Sequence, residues 1–416
     1  MLEVVSDQSE EFNLDELVRQ GARRMLVQAL ELEVEDYIQS HKEERDERGH
    51  RLITRNGRHK SRTVTTTAGA VEIKAPRVND KRDGHKFISA VLPPYLRKSP
   101  KVESLLPVLY LRGLSTGKMA DTLAEYFGKG TTMGLSPASI SKLIRIWEND
   151  FSAWKNREIA EKFVYIWADG VYVSVRLGDD KKICLLVIVG VTDTGEKRLL
   201  GVAEGYRESK ESWLSLLRDL VSRGFKAPLM AIADGALGFW SALRELEEFS
   251  RVQEGRCWVH KIANVLDKLP KKVQPEVKAQ LHEMMKAPDR KTANRIKANF
   301  VNSYQAKYSK ATQCLEKDWG RLTTFFDFPA EHWVSLRTTN PIESSFATVK
   351  LRTRVTKGAG SPKVAASMAF KLLQECEKKW RRIKGYREIS KLLKGVEYKD
   401  GVMIPPSSTD QKAAAF

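Results

Sequence analysis

Phe163-Val164-Tyr165-Ile166-Trp167-Ala168-Asp169-Gly170-Val171-Tyr172-Val173-Ser174-Val175 is aromatic and β-branched almost throughout, and one carboxylate interrupts it. That composition predicts a strand buried on at least one face. An unpaired acid inside such a strand is costly, so Asp169 calls for a cation, a metal or strong hydrogen bonds.

Downstream, Ile183–Val191 and Arg198–Glu204 read as two more strands about the turn Thr192-Asp193-Thr194-Gly195, which makes a three-stranded meander. Ser209–Arg223 follows with helical spacing of Trp213, Leu216, Leu217 and Leu220. Pro228–Ala233 is then a short apolar strand that ends at Asp234-Gly235. A second carboxylate thus stands at a strand end ahead of a helix. Its ordinary alternative is to cap the helix from Leu237. The alternation of strands and helices makes this part of the chain α/β.

Two strands of one sheet can place Asp169 and Asp234 side by side only if cations neutralise them. Hard divalent ions such as Mg²⁺ or Mn²⁺ take oxygen ligands, and two of them ~3.5–4 Å apart suit phosphodiester chemistry. Glu343 is the expected third acid. In Thr338-Thr339-Asn340-Pro341-Ile342-Glu343-Ser344-Ser345, Asn340 reads as a helix cap, Pro341 as the first helical residue and Glu343 as the third. A capping box would explain a Glu at that position equally well. Lys350 lies two turns along the same face, and Arg352, Arg354 and Lys357 follow, a basic track suited to phosphates. Cys257-Trp258-Val259-His260 is a CxxH pair, but tetrahedral zinc needs two more ligands at local spacing, and His282 and Cys314 are distant. Cys257 and His260 are therefore expected to support the site by hydrogen bonding near the second acid.

The charge distribution points the same way. The 416 residues carry 71 Lys and Arg against 53 Asp and Glu, a net charge of +18, with a pI near 9.6. Residues 51–101 hold 13 basic and 3 acidic residues, and residues 341–395 hold 14 and 4, so these two stretches exceed the whole surplus. Residues 1–50 run opposite, with 6 basic and 14 acidic. Concentrated basicity of this kind suits a polyanion. The longest apolar run, Ile183–Val191, is half the ~20 residues of a membrane span, so no membrane role is expected. Four scattered cysteines without a CxxC pair suit a reducing cytoplasm.

Towards the N-terminus, Leu14–Ile38 has helical apolar spacing with an acidic outer face, suited to packing against another helix or subunit. Val64–Thr67 and Val71–Ile73 bracket Ala68-Gly69-Ala70 as a hairpin whose neighbouring Arg and Lys residues suit phosphates. Ser115–Trp147 reads as two helices, the first capped by Ser115 and the second by Ser136 ahead of Pro137. Met119, Ala120, Leu123 and Phe127 share a face of the first. In the second, Ile140, Leu143, Ile144 and Trp147 form the buried stripe, which leaves Ser139, Lys142 and Arg145 outward. The pair suits either a helix-turn-helix presenting Lys142 and Arg145 to DNA or an ordinary helical hairpin. Lys261–His332 is helical in pattern and separates the second acid from the third.

Taken together, Asn56-Gly57, Ala75-Pro76-Arg77, Tyr110–Ser115 (YLRGLS), Ser136-Pro137, Trp167-Ala168-Asp169-Gly170, Ile232-Ala233-Asp234-Gly235, Arg256–Lys261 (RCWVHK) and Thr339–Ser344 (TNPIES) resemble the bacterial insertion-sequence transposases of the Mutator-like group. The resemblance covers roughly residues 50–390. It implies an RNase H-like mixed-sheet core, an Asp, Asp, Glu triad falling on Asp169, Asp234 and Glu343, and a C/D-x-x-H signature falling on Cys257 and His260. One departure is Phe249-Ser250 and Glu254-Gly255-Arg256, where the family usually has Phe-Pro and then Gln-Arg. The resemblance further implies a bacterial, DNA-associated enzyme that cleaves terminal inverted repeats, transfers strands into target DNA through a 3′-hydroxyl, passes through a circular DNA intermediate and works as a homodimer or larger assembly.

The expected organisation is multidomain α/β, with an acidic helical segment at 1–50 and a basic, helix-turn-helix-like DNA-binding region at 51–158. An RNase H-like core follows at 159–260 and 336–395, interrupted by an all-α insertion at 261–335, and a flexible tail closes the chain at 396–416. The expected activity is metal-dependent strand cleavage and transfer with two Mg²⁺ ions, for which Mn²⁺ substitutes, and no small-molecule substrate. Two rivals use the same features: a structure-selective nuclease, and an inactive DNA-binding regulator.

Overall fold

The computed structural model describes residues 13–114, 116–127, 137–176, 182–205, 207–235, 237–355 and 358–405. They form two compact units, one ending at Leu143 and one beginning at Ile144.

In the smaller unit, α1 (Leu14–Ser40) opens on Asn13, whose side chain accepts from the amides of Asp15 and Glu16. Strands β1 (Ile53–Arg58) and β4 (Pro76–Asp80) pair antiparallel, as do β2 (Arg62–Thr66) and β3 (Gly69–Ile73). The β2–β3 turn includes Ala68, as the sequence reading expects. Leu30 and Val34 of α1 pack on Val64, Val71, Ile73 and Leu92, and this small core holds the unit's hairpin. Leu14, Leu17, Val18 and Met25 of the same helix stay exposed. Helices α2 (Pro100–Leu111) and α3 (Thr116–Phe127) pack through Val102, Leu106, Met119 and Leu123. The next helix, α4 (Pro137–Lys155), begins at the expected proline and buries Leu143 and Trp147. The caps assigned to Ser115 and Ser136 lie outside the described residues.

The larger unit is built on a mixed five-stranded sheet. Its strands are β5 (Phe163–Ser174), β6 (Lys182–Thr192), β7 (Lys197–Gly205), β8 (Met230–Ala233) and β9 (Gln253–Arg256), in the order β7-β6-β5-β8-β9. The meander β5-β6-β7 is antiparallel, whereas β8 and β9 add in parallel. Parallel addition needs crossover helices, and α5 (Lys210–Ser222) and α6 (Leu237–Glu245) supply them. Their Trp213, Leu216, Leu217, Leu220, Phe239 and Trp240 cover one face of the sheet over Ile166, Ala168, Leu186, Ile188 and Ala231. On the other face the Tyr165 hydroxyl meets His332 Nδ1 at 2.8 Å, and Trp167 Nε1 donates to the Ser335 carbonyl at 3.0 Å. With both faces covered, β5 loses the polar alternation of a half-exposed strand.

Between β9 and the last long helices run α7 (Trp258–Leu266), α8 (Gln274–Lys286), α9 (Arg290–Glu316, kinked at Tyr308), α10 (Trp319–Thr323) and α11 (Trp333–Leu336). Helices α12 (Asn340–Val355) and α13 (Pro362–Glu377) follow, then α14 (Ile389–Leu393) and a two-stranded hairpin, β10 (Tyr398–Lys399) with β11 (Val402–Met403). This hairpin corrects the expected flexible tail at residues 398–403. Asp400 (φ 47) and Gly401 (φ 77) turn it, Tyr398 is buried and bonds to Glu388, and Asp400 accepts from the Arg290 amide. Asp-Gly is the strongest short hairpin signal a sequence offers. Among the described residues no helix is long and apolar enough to cross a membrane.

Candidate active site

Register alone brings the first two acids together. Ala168 of β5 pairs with Ala233 of β8 in parallel, so Asp169, next on β5, and Asp234, which directly follows β8, come side by side. Asp169 is 7% exposed, and its Oδ1 accepts from the Gly170 amide at 2.8 Å. Burial, then the Asp234 charge, pushes the Asp169 carboxyl well above the usual carboxylate range. Gly235 holds φ 88, and the Arg256 side chain fills the place of its missing Cβ.

The third expected acid arrives on α12. The Thr339 carbonyl accepts from the amides of Ile342 (2.9 Å) and Glu343 (3.0 Å), so Thr339 caps the helix and Asn340 is already helical. The start is therefore one residue earlier than expected, since Thr and Asn are both good caps. The Glu343 carboxylate is hydrogen-bonded by the Thr339 hydroxyl and lies 3.7 Å from His260 Nδ1. It does not close a capping box.

One cavity of about 330 Å³ is lined by Asp169, Gly170, Glu208, Asp234, His260, Glu343, Phe346, Ala347 and Lys350. All three expected acids and Lys350 border it. At and beside it the donor atoms fall into two sets, each with members within 4.8 Å of one another: Asp169, Glu208 and Asp234, and the buried Cys257 with His260 and Glu343. Glu208 is the residue that sequence reasoning missed. It precedes the Ser209 cap of α5, a position that reads as solvated loop. Burial, and then Asp234, pushes its carboxyl up to about 7.

The run Arg256–Lys261 anchors the site from behind. Lys261 and Arg256 both pair with Asp318, the Cys257 amide donates to the Ala233 carbonyl at 2.9 Å, and Trp258 Nε1 donates to the Leu322 carbonyl at 2.8 Å. Cys257 Sγ accepts from the Thr339 amide at 3.3 Å and lies 3.2 Å from its hydroxyl, which ties the start of α12 to the end of β8. Burial opposes ionisation of the Cys257 thiol, but hydrogen bonding to His260 and Thr339 outweighs it and lowers its pKa. His260 is raised by Cys257 first, against burial, with help from Glu343 and Asp234. The expected supporting role of Cys257 and His260 thus has a geometry, although His260 faces Glu343 as well as the second acid.

The expected DNA-contact residues divide. Lys142 and Arg145 are exposed on α4, as are Lys350 and Arg354 on α12. Arg352 is a correction: it is 2% exposed, in the buried stripe Ile342, Ser345, Phe346, Val349 and Arg352, so it cannot meet an external phosphate. Lys357 lies outside the described residues.

The smaller unit has its own charged groove of about 730 Å³, lined by Lys60, Arg62, Arg77, Lys86 and Arg97 with His59, Phe87, Ile88 and Tyr95. Burial, then Arg77, Arg62 and Lys86, lowers the pKa of His59, and burial with Arg97 lowers that of Arg62. Glu33, the one acid on its lining, is spent on Ser89 and the amides of Ala90 and Val91.

A mixed sheet that brings together a carboxylate from the middle of one strand and one from just past the end of its parallel neighbour, in a strongly basic chain, defines a class of candidates for metal-assisted work on a polyanion. Comparison narrows the class. The model of the Mutator family of transposases matches residues 1–383, and the chain belongs to that family. The chain is 42% identical over 315 residues to the transposase of insertion sequence IS6120 from Mycolicibacterium smegmatis, covering 74% of this chain and 96% of that one. It is 46% identical over 286 residues to the transposase of IST2 from Acidithiobacillus ferrooxidans, covering 68% and 95%. Among solved structures, the HTLV-2 integrase catalytic core in complex with magnesium aligns with 31% of this chain and 88% of its own, at 17% identity and a TM-score of 0.17. Transposition of insertion sequences is the function these sequence relations support.

Proposed function

We propose that the chain binds the terminal inverted repeats of its element and cuts and joins DNA with Asp169, Asp234 and Glu343 as the catalytic acids of an RNase H-like core. The convergence of these three side chains on one cavity carries the reading. The mixed sheet and the run of helices α7–α11 between β9 and α12 support that reading.

The residues fit divalent cations: the donors are carboxylate oxygens, those of Asp169 and Asp234 lie within 4.8 Å of each other, and burial with repulsion from Asp234 raises the pKa of Asp169, which a bound cation would offset. Asp169, Asp234 and Glu343 would hold two Mg²⁺ ions, or Mn²⁺ in their place, whose charge would help activate an attacking hydroxyl and stabilise a leaving oxygen. The chain's own part is positional. The strand register fixes Asp169 beside Asp234, Thr339 and His260 orient Glu343, and Lys350 puts a cation on the cavity wall to meet a phosphate. The basic groove of the smaller unit, with Lys142 and Arg145 on α4 and Arg354 on α12, supplies sequence-independent grip on duplex DNA. A dimer or larger assembly would synapse the two element ends in the bacterial cytoplasm.

The test is incubation of the full chain with labelled duplexes from both element edges in Mg²⁺, Mn²⁺ or EDTA. Cut and joined products that need metal are expected. Cutting without joining would favour the structure-selective nuclease, and binding without cutting in either metal would favour the inactive regulator.

A further inference from the structure

Glu208 is the feature of the cavity that the triad does not use. Its carboxylate oxygen lies within 4.8 Å of those of both Asp169 and Asp234, a closer grouping than Glu343 makes with that pair, since Glu343 groups with Cys257 and His260. Two glycines make this approach possible. A Cβ on Gly170 would sit 2.6 Å from Glu208 Oε1, so the carboxylate occupies the space that residue 170 leaves empty. A Cβ on Gly238 would sit 2.1 Å from the Glu208 carbonyl oxygen, so the start of α6 packs directly on the Glu208 backbone. The chain enters this position through Arg207 at φ 54, a conformation rare outside glycine. Side chain and backbone are thus both held, and they aim the carboxylate at two other acids instead of at solvent. Among the described residues no hydrogen bond or ion pair from protein neutralises it.

Resting on the metal-dependent reading above, we propose that Glu208 is a fourth carboxylate of the cation site and ligates the ion that Asp169 and Asp234 hold. The site would then be divided. Asp169, Asp234 and Glu208 form the oxygen-rich half, which suits Mg²⁺ or Mn²⁺, and Glu343, oriented by Thr339 and His260, closes the other side of the cavity.

The experiment is Mn²⁺ titration of the full chain followed by electron paramagnetic resonance of the free ion, on wild type, Glu208→Gln, Glu208→Asp, Asp169→Asn and, as a control outside the cluster, Glu204→Gln. Unfolding curves confirm that each variant is folded. The expected result is at least about tenfold weaker binding for Glu208→Gln and for Asp169→Asn. Glu208→Asp should also be weakened, because the backbone is pinned and the shorter side chain falls short. Glu204→Gln should bind as wild type does. Wild-type binding by Glu208→Asp would show that only charge is needed and overturn ligation. Wild-type binding by Glu208→Gln beside a weakened Asp169→Asn would remove Glu208 and leave the metal reading standing. Equal binding by wild type and Asp169→Asn would overturn the metal reading, and Glu208 with it.

Discussion

The acidic cavity of the larger unit and the basic groove of the smaller one solve the same physical problem with opposite sign. Each gathers like charges: Asp169, Glu208 and Asp234 in one, Lys60, Arg62, Arg77, Lys86 and Arg97 in the other. Each shows the expected electrostatic signature, with the carboxyls of Asp169 and Glu208 pushed up and the pKa of His59 and Arg62 pushed down. The difference lies in rigidity. Asp169 stands on β5, Asp234 directly follows the paired strand β8, and Glu208 is held by packing against Gly170 and Gly238, which suits a small ion that demands geometry. The bases sit on long side chains around a small hairpin core, which suits phosphates met at many positions. On the proposed function, the comparison implies that chemistry and grip can be tested separately in this chain.

Asp169→Asn should break the comparison from the acidic side. It removes one charge and keeps the shape, so cleavage should fall by at least about 100-fold, the scale of one preorganised stabiliser of the transition state. DNA binding should stay intact or tighten, because a negative charge near phosphate is lost. Gel-shift and cleavage assays on one duplex would show it, and retained cleavage would remove Asp169 from the chemistry.

From the basic side, Arg62→Ala combined with Arg97→Ala should weaken duplex binding and flatten its salt dependence by ~0.9 in log-log slope per lost phosphate contact. An unchanged slope would take the groove off the DNA path.

Helix α12 contains the comparison in miniature. Exposed Arg354→Ala should reduce the salt slope by ~0.9 and leave the melting temperature unchanged. Buried Arg352→Ala should lower stability by ~1–3 kcal/mol through polar groups left without their partner and leave the slope alone. The reverse pattern would mean that Arg352 is not in the core stripe.

The smallest effect concerns proton linkage. Glu208 is raised from its ordinary 4.5 to about 7, so the folded protein keeps a proton that the unfolded chain releases between these values. Stability contributed by that proton is full below about 4.5 and is lost as pH rises through about 7. In EDTA, Glu208→Gln should therefore melt like wild type at pH 4 and above it at pH 8. Identical melting at both pH values would contradict the burial penalty.

Much of the larger unit's fold is legible in local pattern, because buried strands and amphipathic helices leave strong periodic signals. The β5-β6-β7 meander, the helix after Ser209 and the strand ending at Asp234 all follow from apolar spacing. What escapes is set by tertiary packing. Glu208 looks like a solvated residue ahead of a cap until Gly170 and Gly238 are seen to hold it. Arg352 reads as one more base in a basic run, although its spacing from Ile342, Ser345 and Val349 places it on the core face. The Asp400-Gly401 turn carried a local signal, but its anchors, Glu388 and Arg290, are remote in sequence.

The most direct measurement of the central claim is metal-switched cleavage. A thiolate is a softer donor than a carboxylate and suits a transition-metal ion better than Mg²⁺. Wild type should cut labelled element ends in Mg²⁺ and in Mn²⁺, whereas Asp169→Cys should cut in Mn²⁺ and fail in Mg²⁺. Equal cutting by Asp169→Cys in both ions, or wild-type cutting in EDTA, would contradict a metal held by Asp169.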